Sequence, residues 1–212
     1  MSIVRDEILA NIRRTQRPDR LDRETAYGAI RREYRQSAGS DRETTLRLFE
    51  DRLHDYGATV YHCAADQIAE TIRMALAVRA RRRLVIPENI PRSWLPDDVD
   101  FLPGEQLAYE EIEASDGVVT GCAAAIAFTG TIVLEHSAIQ GRRRLTLIPD
   151  YHLCVVIQNQ IVETVPEGIQ KVAGSASPIT TISGPSATSD IEMTRISGVH
   201  GPRCLDVIVV QE

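Results

Sequence analysis

Lysine is almost missing from this chain: Lys171 is the only one, so nearly all of the positive charge is carried by arginine. No G-x-x-x-x-G-K-[S/T] stretch is present, which excludes nucleotide hydrolysis of the phosphate-loop kind, and a Schiff-base mechanism has one unpromising lysine. Cysteine is sparse. Cys63, Cys122, Cys154 and Cys204 are scattered, with no C-x-x-C pair and no Cys/His spacing typical of zinc or iron–sulfur sites. They read as isolated buried thiols, so the chain is expected to hold no metal and no cofactor of its own. Apolar runs fall far short of the roughly 20 residues that span a bilayer, and Met1 opens a charged segment without a signal-peptide core. No membrane insertion and a cytoplasmic location are expected. Neither a nucleophile elbow with a Ser-His-Asp order nor H-E-x-x-H occurs, which leaves hydrolase chemistry with little support.

What is present describes a globular protein. The 212 residues are 43% hydrophobic and 25% charged, enough for one α/β domain with an N-terminal appendage that buries about 70% of its unfolded surface. The net charge of −6 and pI near 5.4 argue against nucleic acid as the main partner, because phosphate binding demands a basic face.

Ser2 caps an amphipathic helix with Ile3, Val4, Ile8, Leu9 and Ile12 near a 3.6-residue period. Residues 15–40 are rich in Arg and poor in large apolar residues, a solvated connector or a partner-binding arm. Residues 1–40 are therefore set apart from a domain at 41–212. Ser40 and Glu43 form a capping-box pattern for a helix over 41–56, with Leu46, Phe49 and Leu53 on one face. Ala58–Cys63, Asp66–Arg79 and Leu84–Ile86 read as strand, helix and strand, the start of a parallel sheet. Prolines 87, 91, 96 and 103 break the next stretch, where Trp94 plugs the core. A short helix near 107–115, a small-residue turn at Gly117–Thr120 and a strand at Thr131–Glu135 come next. Leu145–Leu147, Leu153–Ile157 and Ile161–Val162 are strand-like, Pro166–Val172 helical, and Ile179–Ile182 and Leu205–Val210 strands.

Between those last two strands lies a concentrated polar segment, S-G-P-S-A-T-S-D-I-E-M-T-R-I-S-G-V-H-G-P, over Ser183–Pro202. Gly184, Pro185, Ser186, Thr188 and Ser189 resemble an anion-binding turn that offers free N–H groups to a ligand. Asp190 and Glu192 either cap backbone N–H groups or act on a substrate proton or ribose hydroxyl. His200 is a general base, a hydrogen-bond donor to substrate or a lock on the Gly201-Pro202 turn. Upstream, Thr129, Gly130 and Thr131 present hydroxyls and an unhindered backbone, suited to a carboxylate, phosphate or amide, or simply form a tight turn. Arg142, Arg143 and Arg144 can clamp an anion, with one of the three pointing inward. Thr120 completes the binding candidates. The glycine and hydroxyl groups at 130–131 and 184–186, with Asp190 and His200, are expected to converge on one crevice at strand ends.

The same residues carry a resemblance. I-S-G-P-S-x-T-x-D-I-E followed by G-V-H-G-P, together with Gly117–Glu135 and Gln140-Gly141-Arg142, is similar to the LUD-domain family, in its lactate-utilization protein C branch. Across residues 105–212 the resemblance implies an open, mostly parallel α/β sheet with flanking helices, similar to the fold of glucosamine-6-phosphate isomerase, ribose-5-phosphate isomerase and CoA-transferases. It further implies an accessory role in L-lactate oxidation to pyruvate beside partner proteins that carry the iron–sulfur clusters, with a small anionic ligand or nucleotide bound and a homo-oligomer possible. By likeness to CoA-transferases, whose glutamate attacks a thioester, Glu135 is the nearest nucleophile on offer. Ala123 and Phe128 stand where family members often carry acidic residues, so any activity that needs those carboxylates is lost. Two other readings stay open: a CoA- or sugar-phosphate-type enzyme, and a structural subunit.

Overall fold

The computed structural model describes residues 3–15, 23–137, 139–188, 196–197 and 201–211. Two compact units make up the chain, Met1–Arg35 and Gln36–Glu212. The first contains helices α1 (Ile3–Thr15) and α2 (Arg23–Gly28). Val4, Ile8 and Ile12 stand at i, i+4 spacing along one face of α1 and are exposed.

The second unit begins with α3 (Arg42–Asp55), β1 (Thr59–Ala64), α4 (Ile68–Val78), β2 (Arg83–Ile86), β3 (Asp100–Pro103) and α5 (Tyr109–Glu113). It continues with β4 (Gly117–Gly121), β5 (Ala124–Ile126), β6 (Thr131–Glu135), α6 (Arg143–Leu147), β7 (Tyr151–Ile157), β8 (Ile161–Val162) and α7 (Val165–Val172). β9 (Ile179–Ile182), the hairpin strands β10 (Ala187–Thr188) and β11 (Ile196–Ser197), and β12 (Cys204–Gln211) complete it. A six-stranded sheet in the order β1-β12-β7-β4-β2-β3 is parallel throughout. A second sheet, β8-β5-β6-β9, is mixed. The α/β class expected from the sequence is the one observed.

Side-chain alternation along the strands decides what each face of the main sheet meets. Leu153 and Val155 of β7, with Ile208 and Val210 of β12, pack against Ile68, Ile72, Ala75 and Leu76 of α4. Cys154 and Val156, with Leu205, Val207 and Val209, turn the other way, toward Ile132 and Leu134 of β6 and Phe49 and Leu53 of α3. The small sheet's far face, with Ile126 and Val133, is covered by Val172 of α7. Both sheets thus bury side chains in a shared space between them.

One buried charge sits on the α4 side. Asp206 is fully buried and accepts from Arg79 Nη2 at 2.8 Å, Arg79 Nε at 3.2 Å and the Tyr151 hydroxyl at 3.0 Å. Arg79 also donates to Thr59 Oγ1 at 2.9 Å, so one carboxylate ties the end of α4 to β1, β7 and β12. Burial, then the neighbouring Asp206 charge, pushes the Tyr151 hydroxyl well above its ordinary pKa. On the opposite side, the N–H groups of Gly39 and Ser40 donate to Glu163 at 3.1 and 2.8 Å, and that of Ala38 to Glu167 at 2.8 Å.

Several local expectations are corrected. Gly117–Thr120 is no turn but most of β4, buried in the interior of the main sheet. Strands covered on both faces are built from small and β-branched residues, which in a one-dimensional reading look like turn punctuation. Leu145–Leu147 belongs to helix α6 rather than a strand. The cap of α3 is Asp41, whose Oδ1 accepts from Thr44 N–H at 2.7 Å, while Glu43 pairs with Arg47. The thiols are not all isolated either: Cys122 Sγ donates to Gln160 Oε1 at 3.4 Å, and the neighbouring Cys154 thiol and burial push its pKa up. Among the described residues no helix is long and apolar enough to cross a membrane.

Candidate functional site

A cavity of about 290 Å³ lies where the starts of β7 and β12 face the end of β9 across the inter-sheet space, with α6 along one side. His152, the second residue of β7, is in register with Leu205 of β12 and Val118 of β4. Its side chain therefore shares the inward face with Cys154 two residues on. His152 is fully buried, its Nε2 lies 2.8 Å from Thr120 Oγ1, and its Nδ1 has no partner. Thr180 Oγ1 of β9 is likewise buried and unpartnered. Both residues line the cavity. A buried polar atom left unsatisfied costs about 1–3 kcal/mol, so two along one cavity mark a place where the fold gives up stability. Burial lowers the His152 pKa to about 4, which leaves the imidazole neutral near pH 7.

The turn after β9 forms another wall. Ser183, Gly184, Pro185 and Ser186 line the cavity; Gly184 has φ +80°, and the Ser186 N–H donates to the Pro202 carbonyl at 2.7 Å. β6 and β9 are antiparallel, with Ile132 opposite Ile182, so the start of β6 meets the end of β9. A run of hydroxyls crosses there: Thr129 Oγ1 to Thr131 Oγ1 at 2.7 Å, and Thr131 Oγ1 to Ser183 Oγ at 2.8 Å. The glycine-hydroxyl groups at 130–131 and 184–186 adjoin through antiparallel neighbours, not through equivalent ends of parallel strands.

The other expected residues are placed as follows. Gly184 and Ser186 line the cavity, whereas Thr129 and Thr131 reach it only through Ser183. Thr120 is fully buried behind His152. Among the three arginines, Arg143 lines the cavity; Arg142 is exposed at the cap of α6, and Arg144 donates to the carbonyls of Gly104 and Glu105. Glu135 stands opposite Ile179 at the far end of β6, about 13 Å along the strand from Thr131, and accepts a hydrogen bond from Ser175. Thr188 belongs to β10 and is paired with Ile196. Asp190, Glu192 and His200 lie outside the described residues.

Residues 101–210 match the family defined by the LUD domain. The chain belongs to the LUD-domain family. It is 51% identical over 173 residues, 80% of its length and 81% of the relative's, to a Deinococcus radiodurans protein called lactate utilization protein C. A protein of the same name from Geobacillus thermodenitrificans is 33% identical over 201 residues, covering 82% of each chain. The crystal structure of a DUF162-family protein from Deinococcus radiodurans superposes with a TM-score of 0.72 at 46% identity, over 81% of this chain and 99% of that one.

His152, Thr180 and Arg143, three groups that define the cavity chemically, all fall inside the LUD domain. Sequence reasoning passed over His152, although a signal was there: in Y-H-L-C-V-V-I a single polar residue interrupts a strand buried on both faces. The LUD domain thus offers a neutral imidazole and a threonine hydroxyl inside, with seryl hydroxyls and one guanidinium nearby. That set can hold a small polar anion. Among its described residues no cluster of three or more His, Cys, Asp or Glu is arranged to hold a metal ion.

Proposed function

We propose that this LUD-domain protein is an accessory component of L-lactate oxidation to pyruvate, binding a small anionic ligand or nucleotide in the inter-sheet cavity. It works in the cytoplasm beside partner proteins that carry the iron–sulfur clusters. The relatives' shared name supports the pathway. The binding reading is carried by one observation: two buried polar atoms, His152 Nδ1 and Thr180 Oγ1, are left without partners along a single cavity. Gly184, Ser186 and Arg143 supply a tight backbone turn, a hydroxyl and a cation to the same lining.

A structural-subunit reading draws on the hydroxyl run from Thr129 to Ser183, whose members already satisfy one another. Thermal unfolding of the full chain with L-lactate, pyruvate, coenzyme A, AMP and ribose 5-phosphate separates the two. A ligand at a hundredfold excess over its Kd stabilises the native state by about 2.7 kcal/mol, a rise of several degrees. The binding reading requires such a rise with at least one small anion and its loss in His152→Gln. No rise with any of the five would favour the structural subunit. Co-purification with a cysteine-rich partner protein tests the iron–sulfur association.

A further inference from the structure

The hydrogen bonds behind His152 have a direction. Thr120 Oγ1 is 2.8 Å from His152 Nε2 on one side and 3.9 Å from Cys154 Sγ on the other, and all three residues are fully buried. The threonine has one proton to give. If it gives that proton to Nε2, Cys154 Sγ receives nothing, and the imidazole proton sits on Nδ1 without an acceptor. If the Nε2–H donates to Thr120, the threonine gives its own proton to Cys154 Sγ and the thiol keeps its S–H for the Val155 carbonyl, three contacts running one way against the two that remain when the weak thiol proton turns back to Thr120. Cys154 Sγ lies 4.0 Å from the Val155 carbonyl, which continues the same direction.

We infer that Thr120 holds His152 as its Nε2–H tautomer, so that a bare Nδ1 lone pair faces the cavity and selects a ligand that brings a hydrogen-bond donor. This inference rests on the binding reading of the cavity and narrows its ligand to an anion carrying a hydroxyl. A hydroxyl can donate to Nδ1 or accept from Thr180, whereas an oxo oxygen serves only Thr180 and leaves Nδ1 unpaired. Thr120, assigned from the sequence to ligand contact, is thereby a positioning residue that acts through His152. A site built to pair a hydroxyl rejects the analogue lacking it, because its own polar group is stranded.

Two measurements on the full chain test it. In protein labelled with ¹⁵N-histidine, the imidazole signals lost in His152→Gln should show a protonated Nε2 and an unprotonated Nδ1 at pH 7; the reverse pattern, or an averaged one, overturns the inference. In calorimetric titrations, L-lactate should bind about tenfold or more tightly than pyruvate. Thr120→Ser should keep that ratio and the tautomer, and Thr120→Val should lose both. Equal affinity of the wild type for the two acids, or an unchanged ratio in Thr120→Val, overturns it too. Binding of neither acid, with the tautomer as stated, instead removes the binding reading of the cavity, and the selectivity falls with it.

Discussion

Gly184 is stacked so closely on Tyr56 that a Cβ at position 184 would overlap the Tyr56 Cβ and stand 2.7 Å from its Cγ. Gly130 presses on the same region: its Cβ would come within 2.6 Å of Arg52 Cβ and 3.3 Å of Tyr56 Cε2. Both glycines have positive φ, +80° and +59°. The end of α3 is therefore wedged between two tight turns that come from distant parts of the chain.

Gly184→Ala combines a left-handed alanine with an overlap against backbone-proximal atoms. It should cost about 3 kcal/mol and lower the melting temperature by several degrees. Thermal unfolding checks this. A loss below about 1 kcal/mol would mean that the turn and Tyr56 separate easily.

His152 makes stability depend on pH. Its pKa is depressed from 6.5 to about 4 in the folded chain, so between those values the unfolded chain binds the extra proton. The contribution is complete above pH 6.5 and is lost as the pH falls toward 4, amounting to about 3 kcal/mol. Denaturant titrations at pH 7 and pH 5 should show the wild type losing more stability than His152→Gln. Parallel losses in the two proteins would count against a buried neutral imidazole.

Arg79→Met leaves the Asp206 carboxylate buried with the Tyr151 hydroxyl as its one close side-chain donor among the described residues, and should destabilise by about 3 kcal/mol. Tyr151→Phe removes one hydrogen bond to a charged acceptor and should cost about 2 kcal/mol. Because both act on one carboxylate, the double variant should depart from additivity by more than about 0.5 kcal/mol. Additive losses would show that the three groups do not act as a unit.

Glu135→Gln should leave any L-lactate-induced rise in melting temperature intact, since Glu135 stands at the end of β6 away from Thr131 and is bonded to Ser175. Loss of the rise in this variant, with the unliganded melt unchanged, would move the site to the other end of the small sheet.

We also propose that residues 1–35 are dispensable for folding of the second unit and serve association with a partner or a second copy. Their deletion should leave a cooperative melt. Deleting residues 1–40 should lower it further, because the N–H groups of Ala38, Gly39 and Ser40 bind the Glu163 and Glu167 carboxylates. Equal melts for the two truncations would remove any stabilising role for those three bonds.

The strands rich in β-branched residues, β7, β9 and β12, were legible because buried parallel strands and edge strands both demand such residues. β4 was not, since two glycines and a threonine in the interior of a sheet cannot be told from a loop by composition. The second sheet was also hidden: nothing in Thr131–Glu135 or Ile179–Ile182 says which strands they choose as neighbours. Thr131 and Ser183 meet because of that choice. His152 was readable as an anomaly, but that it lines a cavity depends on β9 lying across from β7, a long-range fact. Arg143 rather than Arg142 lines that cavity because a helix, not a strand, begins there.

The order of the main sheet places β12, the latest strand in the chain, between β1 and β7, pairing Thr59 with Asp206 on one side and Leu153 with Asp206 on the other. Until residues 204–211 are in place, β1 has no neighbour and β7 has an open edge, with a gap one strand wide between them. Closing such a distant pairing is slow, because the entropy of the long loop is spent before any contact rewards it. During synthesis, a half-made chain therefore carries two sticky edges of matching spacing. A second half-made chain can offer its own strand to that gap, so this sheet is the place where co-translational misassembly would start.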